Sequence, residues 1–397
     1  MIKAWHFSET AYPYLPPAET YQSIRVTLPS KYYDPEKGAA LWDRYLDEWC
    51  IADDEGVEVM LNEHHQTATC VDPAAPLVLA ALARLTKKAR LLVLGNPIAN
   101  RRQPVRVAEE MALADVLSRG RVEVGFVRGV PWEVAAANSN PVRMNERHWE
   151  ALDIIVKAWT ASDGPVSYEG RFFHHRNINI WPRPYQQPHP PIWVSTTSPS
   201  GAARVGSRGY IQATFLTGFD GTRAVFDAYR KGWHQSDRGQ SVPLDRLAYA
   251  SLIYTAPSEA EARAGAEKLL WYITANKVLP QHTFPPGYVP VRAAVDVMRG
   301  KTNPLSHFGE APTVESAINS GIMMAGTPDQ VVKQIRRLYD HVGGFGHFLM
   351  MGQAGFLEHK ETALSIRTFA REVYPQLQEF HRISPPVSHQ GHEVMSA

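Results

Sequence analysis

The stretch Arg121-Val-Glu-Val-Gly-Phe-Val-Arg-Gly129 predicts a short buried strand that ends in a cation. Its middle is apolar, and Arg128 and Gly129 follow directly. A guanidinium followed by a flexible glycine at the end of a buried strand is well placed to reach a cleft. The alternative interpretation is that Arg128 only forms a salt bridge with a neighbouring loop.

A regular alternation of strand and helix extends from this stretch in both directions. The predicted strands are 2–7, 57–61, 90–94, 122–127, 192–195, 210–216, 247–254 and 346–351. Eight strands with intervening helices predict an α/β fold of the (β/α)8 TIM-barrel type. A doubly wound sheet is the competing architecture, but it needs a glycine-rich turn after the first strand, and Phe7-Ser8-Glu9 is not one.

Two segments depart from this alternation. Residues 166–180 predict a hairpin, and the proline-rich residues 181–191 lead from it to strand five. Residues 281–320 form a second insertion after strand seven, with no predicted structure. We therefore expect one barrel domain over residues 1–383 and a flexible tail over residues 384–397.

The composition excludes several functional classes. The chain has 397 residues, a formal net charge of +1 and only two cysteines. Without a clustered basic face it is not expected to bind nucleic acid, and two separate cysteines make no disulfide framework. The N-terminus does not resemble a signal peptide, and no apolar run reaches membrane-spanning length. A cytoplasmic protein without membrane contact is the expectation.

Polar residues follow several predicted strands, and in a barrel the carboxyl ends of the strands form the active site. They are His6, Asn62, Glu63, His64, His65, Asn96, Arg128, Thr196, Thr197, Ser198 and Ser200, and Gly95 directly precedes Asn96. An arginine together with hydroxyls at a helix start favours a phosphate site. The alternative is that the hydroxyls are ordinary helix caps.

The same residues argue against a metal site. His6 lacks the second histidine that a barrel amidohydrolase places two residues later. His64 and His65 are adjacent, so their side chains diverge, which is poor geometry for one ion. No nucleophile elbow, phosphate-binding P-loop or three-cysteine cluster is present in the sequence. We predict no metal.

An ordered series of segments resembles the bacterial luciferase-like flavin-dependent monooxygenases. The series runs from the first predicted strand to the last, and its 60–130 block is the most specific part. The segments are Asn62-Glu-His-His65, Leu94-Gly-Asn-Pro97, residues 103–110, Leu117-Ser-Arg-Gly-Arg121, Gly125-Phe-Val-Arg-Gly129 and Gly326-Thr-Pro328.

The resemblance implies a barrel that binds FMN as FMNH2, delivered by a separate NAD(P)H:flavin reductase. His64 matches the family's catalytic histidine, and Arg128 would bind the FMN phosphate. Gly95-Asn96 falls where the family often has a non-proline cis peptide against the isoalloxazine ring. The cofactor-binding residues implied in this way are Glu63, Gly95, Asn96, Arg128, Thr196, Thr197 and Ser200.

The reaction implied is the transfer of one oxygen atom from O2 to a small apolar organic substrate through a flavin C4a-hydroperoxide. Val127 stands where the luciferases have a reactive cysteine, which argues against light emission. A second phosphate arginine in this family could correspond to Arg143 or Arg147. Trp132, the tyrosine-rich loop after strand one and the 281–320 insertion would form the lid and substrate pocket, with ordinary aromatic packing as the alternative.

Two other functions remain open at this point. Related barrels bind 8-hydroxy-5-deazaflavin in the same cleft, so a deazaflavin-dependent oxidoreductase is the second interpretation. A non-catalytic flavin-binding subunit is the third, although the presence of His64 and Arg128 argues against it. In this family helices two and three pack across a homodimer interface, so a stripe of small residues on these two helices predicts a homodimer. The alternative interpretation of the stripe is burial within one chain. The stripe consists of Ala80, Ala83, Ala108 and Ala112.

Overall fold

A ring of parallel strands forms the centre of the molecule. The computed structural model describes residues 1–239, 241–275, 278, 282, 285–299 and 312–380. The strands are β1 (Lys3–Ser8), β2 (Glu58–Leu61), β3 (Leu91–Pro97), β4 (Val122–Val127), β5 (Val166–Glu169), β6 (His174–Ile178), β7 (Ile192–Ser195), β8 (Ile211–Phe215), β9 (Leu247–Thr255), β10 (Met323–Gly326) and β11 (His347–Gln353).

Helices surround the ring. They are α1 (Pro35–Asp54), α2 (Ala75–Leu85), α3 (Pro104–Ser118), α4 (Met144–Thr160), α5 (Pro199–Arg208), α6 (Gly218–His234), α7 (Glu259–Ala275), α8 (Val291–Met298), α9 (Val314–Asn319), α10 (Pro328–Val342), α11 (His359–Thr368) and α12 (Tyr374–Leu377). A π-helical turn, Phe369–Val373, joins α11 to α12. As the sequence predicts, Thr327 is the N-cap of α10 and Pro328 is its first residue.

The predicted eight-stranded barrel is confirmed by the strand pairing. The order is β9, β11, β1, β2, β3, β4, β7, β8, and β8 pairs again with β9, which closes the ring. The pairs are parallel throughout. The short strand β10 is absent from the predicted set. It pairs with the second half of β9, from Met323 opposite Leu252 to Gly326 opposite Thr255.

Large aromatic side chains fill the amino-terminal end of the barrel. Trp5 Nε1 donates to His347 Nδ1 at 3.1 Å, and Trp193 Nε1 donates to Glu123 Oε2 at 2.6 Å. The two indole rings meet edge to face, with centroids 5.5 Å apart. Both indole N–H groups have an acceptor, and the two buried rings are in contact. This end of the barrel is therefore filled by side chains and is not a pore.

The upper interior of the barrel is apolar. Phe7, Leu94 and Phe215 belong to the interior cluster, and the rings of Phe7 and Phe215 meet edge to face at 5.9 Å. Above this layer lie the loops that follow the carboxyl ends of the strands. A flat apolar ring system bound at this end would therefore rest on apolar side chains.

The first predicted insertion lies outside the barrel wall. β5 and β6 pair as an antiparallel hairpin, and the proline-rich segment then passes under the barrel. There Gln186 donates from its main-chain nitrogen to Asp115 and from its side chain to the carbonyl of Val122. In the second insertion the structure describes α8 and α9, whereas residues 300–311 and the predicted tail 384–397 lie outside the described residues. None of the described helices is both long and apolar enough for a membrane span.

The alanine stripe on α2 and α3 faces the interior of its own chain, which corrects its prediction as a dimer surface. Ala83, Ala108 and Ala112 are buried in the main core, and Ala80 is half-buried. Small side chains are needed there because these helices pack closely on the barrel and on each other. The outer face instead exposes large apolar residues, namely Leu77, Leu85, Leu113, Val116 and Leu117.

Candidate active site

His64 is held by a carboxylate from another loop. Its Nδ1 lies 2.8 Å from Glu133 Oε1, and the main-chain N–H of His65 donates to the same oxygen at 3.1 Å. Because an ionised carboxylate only accepts, Nδ1 carries the proton and Nε2 is left for proton transfer. Burial alone would raise the pKa of Glu133, but these hydrogen bonds hold it below its usual value.

Glu63 is occupied by protein groups, which argues against its predicted contact with the cofactor. One oxygen accepts from His65 Nε2 at 3.0 Å and from Arg101, and the other accepts from the main chain of Ala75 at 3.2 Å. Its hydrogen bond raises the pKa of His65 above the ordinary value. Glu63 therefore fixes the orientation of the loop that carries His64, and the adjacent histidines are held by two different carboxylates.

Asp72 is a further buried carboxyl group on this loop. Its Oδ1 accepts from the main chain of Ala74 at 3.1 Å, and Oδ2 has no hydrogen-bond partner among the described residues. Its main-chain carbonyl accepts from the N–H of His64 at 3.2 Å. Burial, and secondarily the charge of Glu63, raises the pKa of Asp72 to about 7.

Arg128 follows β4 at the carboxyl end of the barrel, as predicted. Its guanidinium stacks on the ring of Tyr288, with Cζ 3.9 Å from the ring centroid. Nη1 donates to the main-chain carbonyl of Tyr288 at 3.2 Å. Within the described part of the chain no carboxylate pairs with Arg128, so the salt-bridge alternative does not hold for these residues.

His148, on α4, lies behind this arginine. It donates to the main chain of Val127, and its other nitrogen, Nδ1, has no partner in the described chain. Burial, with a smaller contribution from the nearby charges of Arg128 and Arg204, lowers the pKa of His148 to about 3. His148 is therefore neutral and places no second positive charge beside Arg128.

The two candidates for a second phosphate arginine differ in their surroundings. Arg147 donates to the carbonyls of Ala99 and Arg101 at 3.0 and 2.8 Å and stacks on Phe173, so it holds the loop after β3. Arg143 is exposed at the start of α4. Of the two, Arg143 is the one that stays open to a ligand.

The hydroxyl cluster after β7 divides into caps and exposed groups. Ser198 caps α5 by accepting from the N–H of Gly201 at 3.1 Å, and Thr196 Oγ1 accepts from the N–H of Ser198 at 3.1 Å. Thr197 and Ser200 are exposed at the same helix start. The cap interpretation therefore applies to Ser198 and Thr196, while Thr197 and Ser200 can still bind an anion together with the helix N-terminus.

Asn96 presents an unsatisfied acceptor next to the apolar layer. Its Nδ2 donates to the carbonyl of Gly125 at 3.2 Å, whereas Oδ1 is buried without a described partner. The non-proline cis peptide lies between Leu94 and Gly95, one bond before the predicted Gly95-Asn96 position. A Cβ on Gly95 would lie 2.9 Å from Val127, so glycine lets β3 and β4 approach closely here.

His6 lies outside this site. It stands between Trp5 and Phe7 in β1, and both of these residues point into the barrel. Since strand residues alternate, His6 faces the helical layer, and it is fully buried beside Gly352 of β11. Burial lowers the pKa of His6 to about 3. Of the described residues, none form a group of three or more metal-ligating side chains.

An arginine and two aromatic residues, from three segments, meet above the site. The guanidinium of Arg25, in the loop after β1, lies 4.9 Å from the ring centroid of Trp132 and 5.5 Å from that of Tyr272. Arg25 Nη2 donates to the Tyr272 hydroxyl at 3.0 Å. The contact joins the loop after β1, the loop after β4 and α7, which encloses this end of the barrel.

A cavity of about 490 Å³ lies beside the loop that carries His64. Its walls come from the tyrosine-rich loop after β1 and from residues 66–71, and no charged side chain is among the described residues that line it. Tyr12, Tyr14, Tyr32 and Tyr33 supply its aromatic surface. His64 itself does not line the cavity.

Sequence reasoning missed two residues of this site. Glu133 lies five residues after Arg128 in the chain. A carboxylate so soon after the end of a barrel strand is a signal that could have identified it as a site residue. Tyr288 lies in the insertion after β9, in the sequence Pro285-Pro-Gly-Tyr288, which is typical of a tight turn but does not indicate its partner. Both contacts join distant parts of the chain.

Comparisons with known proteins concern the family and the fold of this chain. The sequence profile of the family described as luciferase-like monooxygenase matches residues 43–344. The oxygenase component of flavin-dependent trigonelline monooxygenase from Acinetobacter baylyi is 26% identical over 242 residues, which are 59% of this chain and 65% of that protein. The match thus spans less than two-thirds of that relative's length.

Two solved structures have a similar fold over nearly their whole length. One is the oxygenating constituent of 3,6-diketocamphane monooxygenase from Pseudomonas putida in complex with FMN, with a TM-score of 0.71 and 18% identity over 94% of this chain and 98% of that one. The other is an F420-dependent secondary alcohol dehydrogenase in complex with an F420–acetone adduct, with a TM-score of 0.65 and 19% identity over the same shares. At these identities the similarity concerns the fold.

Proposed function

This chain belongs to the luciferase-like monooxygenase family, and on that premise we propose that it is an FMNH2-dependent oxygenase that transfers one atom of O2 to a small apolar substrate. The observation that carries the proposal is the carboxylate-held imidazole of His64 at the same end of the barrel as Arg128. A phosphate-bearing cofactor and a proton-transfer group are the two requirements of such a site.

The described residues fit a flavin mononucleotide. Arg128 and the exposed hydroxyls of Thr197 and Ser200 would hold its phosphate at the start of α5. The orphaned Oδ1 of Asn96 is an acceptor that a ring N–H would satisfy. The apolar layer that includes Phe7 and Leu94 would lie against the ring system.

Reduced flavin would supply the two electrons with which one oxygen atom enters the substrate and the other leaves as water. The protein would contribute a group for proton transfer and would exclude water from the site. His64 Nε2 would accept or donate a proton, while Glu133 keeps the imidazole in the required tautomer. The Arg25 contacts with Trp132 and Tyr272 would limit the access of water.

We propose that a separate NAD(P)H:flavin reductase supplies the FMNH2. The chain has no G-x-G-x-x-G turn after β1 that would bind a nicotinamide dinucleotide. The trigonelline relative is itself named as an oxygenase component. The uncharged aromatic cavity beside the His64 loop supports an apolar substrate, such as a terpene, ketone or aldehyde.

A deazaflavin-dependent oxidoreductase is the second candidate, because a structure of similar fold holds F420. A non-catalytic flavin-binding subunit has less support, since such a protein would not need the His64–Glu133 pair.

Anaerobic titration of the purified chain with FMNH2 and with an F420-type deazaflavin tests the cofactor. We expect FMNH2 to bind and Arg128→Ala to weaken it about 10- to 100-fold, the range for hydrogen bonds to a charged group. Arg143→Ala tests whether the second candidate arginine also binds the phosphate, and a smaller effect than that of Arg128→Ala would leave Arg128 as the principal phosphate arginine. Binding of the deazaflavin alone would favour the second candidate, and binding of neither would contradict both.

Oxygen transfer is tested by mixing the FMNH2 complex with ¹⁸O2 in the presence of a terpene, a cyclic ketone and a long-chain aldehyde. We expect a product that carries one labelled atom, and His64→Ala should lower its yield about 100-fold or more at unchanged FMNH2 affinity. Equal product yields from the two proteins would contradict the role of His64.

A further inference from the structure

Tyr288, in the described part of the insertion after β9, contacts Arg128. The turn that presents it is encoded locally, because Pro286 and Gly287 occupy the two central positions of a β-turn closed by the N–H of Tyr288 and the carbonyl of Pro285 at 3.0 Å. Gly287 has φ +85°, and a Cβ there would lie 2.3 Å from Val142. Glycine is thus required twice, for the turn and for the close approach to Val142, two residues before α4.

Tyr288 is anchored in the surrounding loops. Its ring packs against a small apolar cluster that consists of Ala99, Val134 and Met144. Its hydroxyl donates to the carbonyl of Gly129 at 2.6 Å. The loops after β3 and β4 and the start of α4 therefore determine where the ring lies.

The contacts with Arg128 restrain the guanidinium without using up its donors. The ring of Tyr288 covers one face of the group, at 3.9 Å from Cζ, and the N–H bonds of a guanidinium all lie in its plane. One N–H, on Nη1, donates to the Tyr288 carbonyl at 3.2 Å. The remaining in-plane donors can still bind two oxygens of a phosphate.

We propose that Tyr288 is a positioning residue for the phosphate-binding arginine. This inference rests on the proposed function, since it assumes that Arg128 binds the cofactor phosphate. By holding the plane of the guanidinium before the ligand arrives, Tyr288 reduces the conformational entropy that Arg128 loses on binding. The effect is restricted to ligands that carry the phosphate.

Anaerobic titrations with reduced FMN and reduced riboflavin separate this role from a general structural one, because only FMN carries the phosphate. Tyr288→Leu keeps an apolar side chain and the main-chain carbonyl but removes the stacked ring. We expect it to weaken FMN binding about fivefold and to leave riboflavin binding unchanged. Tyr288→Phe keeps the ring and should retain FMN affinity within about twofold of the unaltered chain.

A double variant gives the second readout. If Tyr288 acts through Arg128, Tyr288→Leu should have no further effect on FMN affinity once Arg128→Ala is present. Equal weakening of FMN and riboflavin by Tyr288→Leu, or full additivity in the double variant, would overturn the proposal. So would equal affinity of the unaltered chain for FMN and riboflavin, whereas failure to bind either flavin would overturn the proposed function as well.

Discussion

Adjacent histidines in this chain serve different partners, which decides what each can do. His64 is tied to Glu133 through Nδ1, and His65 is tied to Glu63 through Nε2. Each carboxylate also accepts a main-chain N–H, Glu133 from His65 and Glu63 from Ala75, so the segment from His64 to Ala75 is held by four hydrogen bonds. A proton-transfer group needs this support, since small displacements of a catalytic side chain reduce the rate strongly.

Asp72 carries the clearest pH dependence at the residue scale. Its pKa is raised to about 7, so the folded chain holds this proton more tightly than the unfolded chain does. The stability that results is fully present below about pH 4 and is lost as the pH rises to about 7. The groups that face it are Glu63 and His65.

We therefore predict that Asp72→Asn stabilises the protein at pH 8 by on the order of 4 kcal/mol and has little effect at pH 4. The asparagine keeps an oxygen for the N–H of Ala74 but cannot ionise. Denaturant unfolding at the two pH values measures the difference, with exposed Asp54→Asn as the control. A variant that is no more stable than the original chain at pH 8 would contradict the prediction.

At the scale of elements, α5 and α6 are in close contact because each places a glycine against the main chain of the other. A Cβ on Gly206 would lie 2.2 Å from the carbonyl oxygen of Tyr229, and one on Gly232 would lie 1.9 Å from that of Ala203. The helices can approach this closely only because both positions lack a side chain. Since the exposed hydroxyls of the candidate phosphate site lie at the start of α5, this packing also positions part of the site.

We predict that Gly232→Ala destabilises the protein by about 2 kcal/mol or more, because the added methyl group forces the helices apart. The matched control is Gly221→Ala in the same helix, whose nearest contact is Thr217 at 3.1 Å. Its effect should stay within about 1 kcal/mol, since alanine favours helix. Thermal melting of both variants is the measurement, and equal melting temperatures would argue against the close-packing account.

For the whole molecule, the outer face of α2 and α3 is the principal candidate for contact with a second copy. The alanine stripe is buried, so the exposed leucines of these helices now carry the homodimer prediction. Leu77 is 74% exposed and Leu117 is 52% exposed, and such side chains grouped on one face favour an interface.

The expected outcome is that the unaltered chain is a dimer in multi-angle light scattering and that Leu113→Asp combined with Leu117→Asp makes it monomeric. Burying two aspartate charges in the interface would cost more free energy than the apolar contact of the leucines contributes. Val291→Asp, at the start of α8 and 81% exposed, is the control for adding a charge at an exposed apolar site. A monomeric unaltered chain, or a dimeric double variant, would remove this face as the interface.

The sequence by itself determined the barrel, the position of Arg128 at the end of β4 and the proline-rich passage under the barrel. These follow from periodicity and local turn chemistry, which depend on residues close in the chain. The confirmed eight-strand ring shows that such local signals are enough to predict the barrel. The assignments of His64, Thr197 and Ser200 remain predictions that the geometry supports.

Only the tertiary structure decided which groups meet. Glu133 lies 69 residues from His64, and Tyr288 lies 160 residues from Arg128, so neither contact has a local signature. The same applies to Glu63, whose oxygens are taken by protein donors, and to the alanines of α2 and α3, which face inward. The physical reason is that barrel closure and loop path, which no short stretch of sequence specifies, determine which buried polar groups satisfy one another.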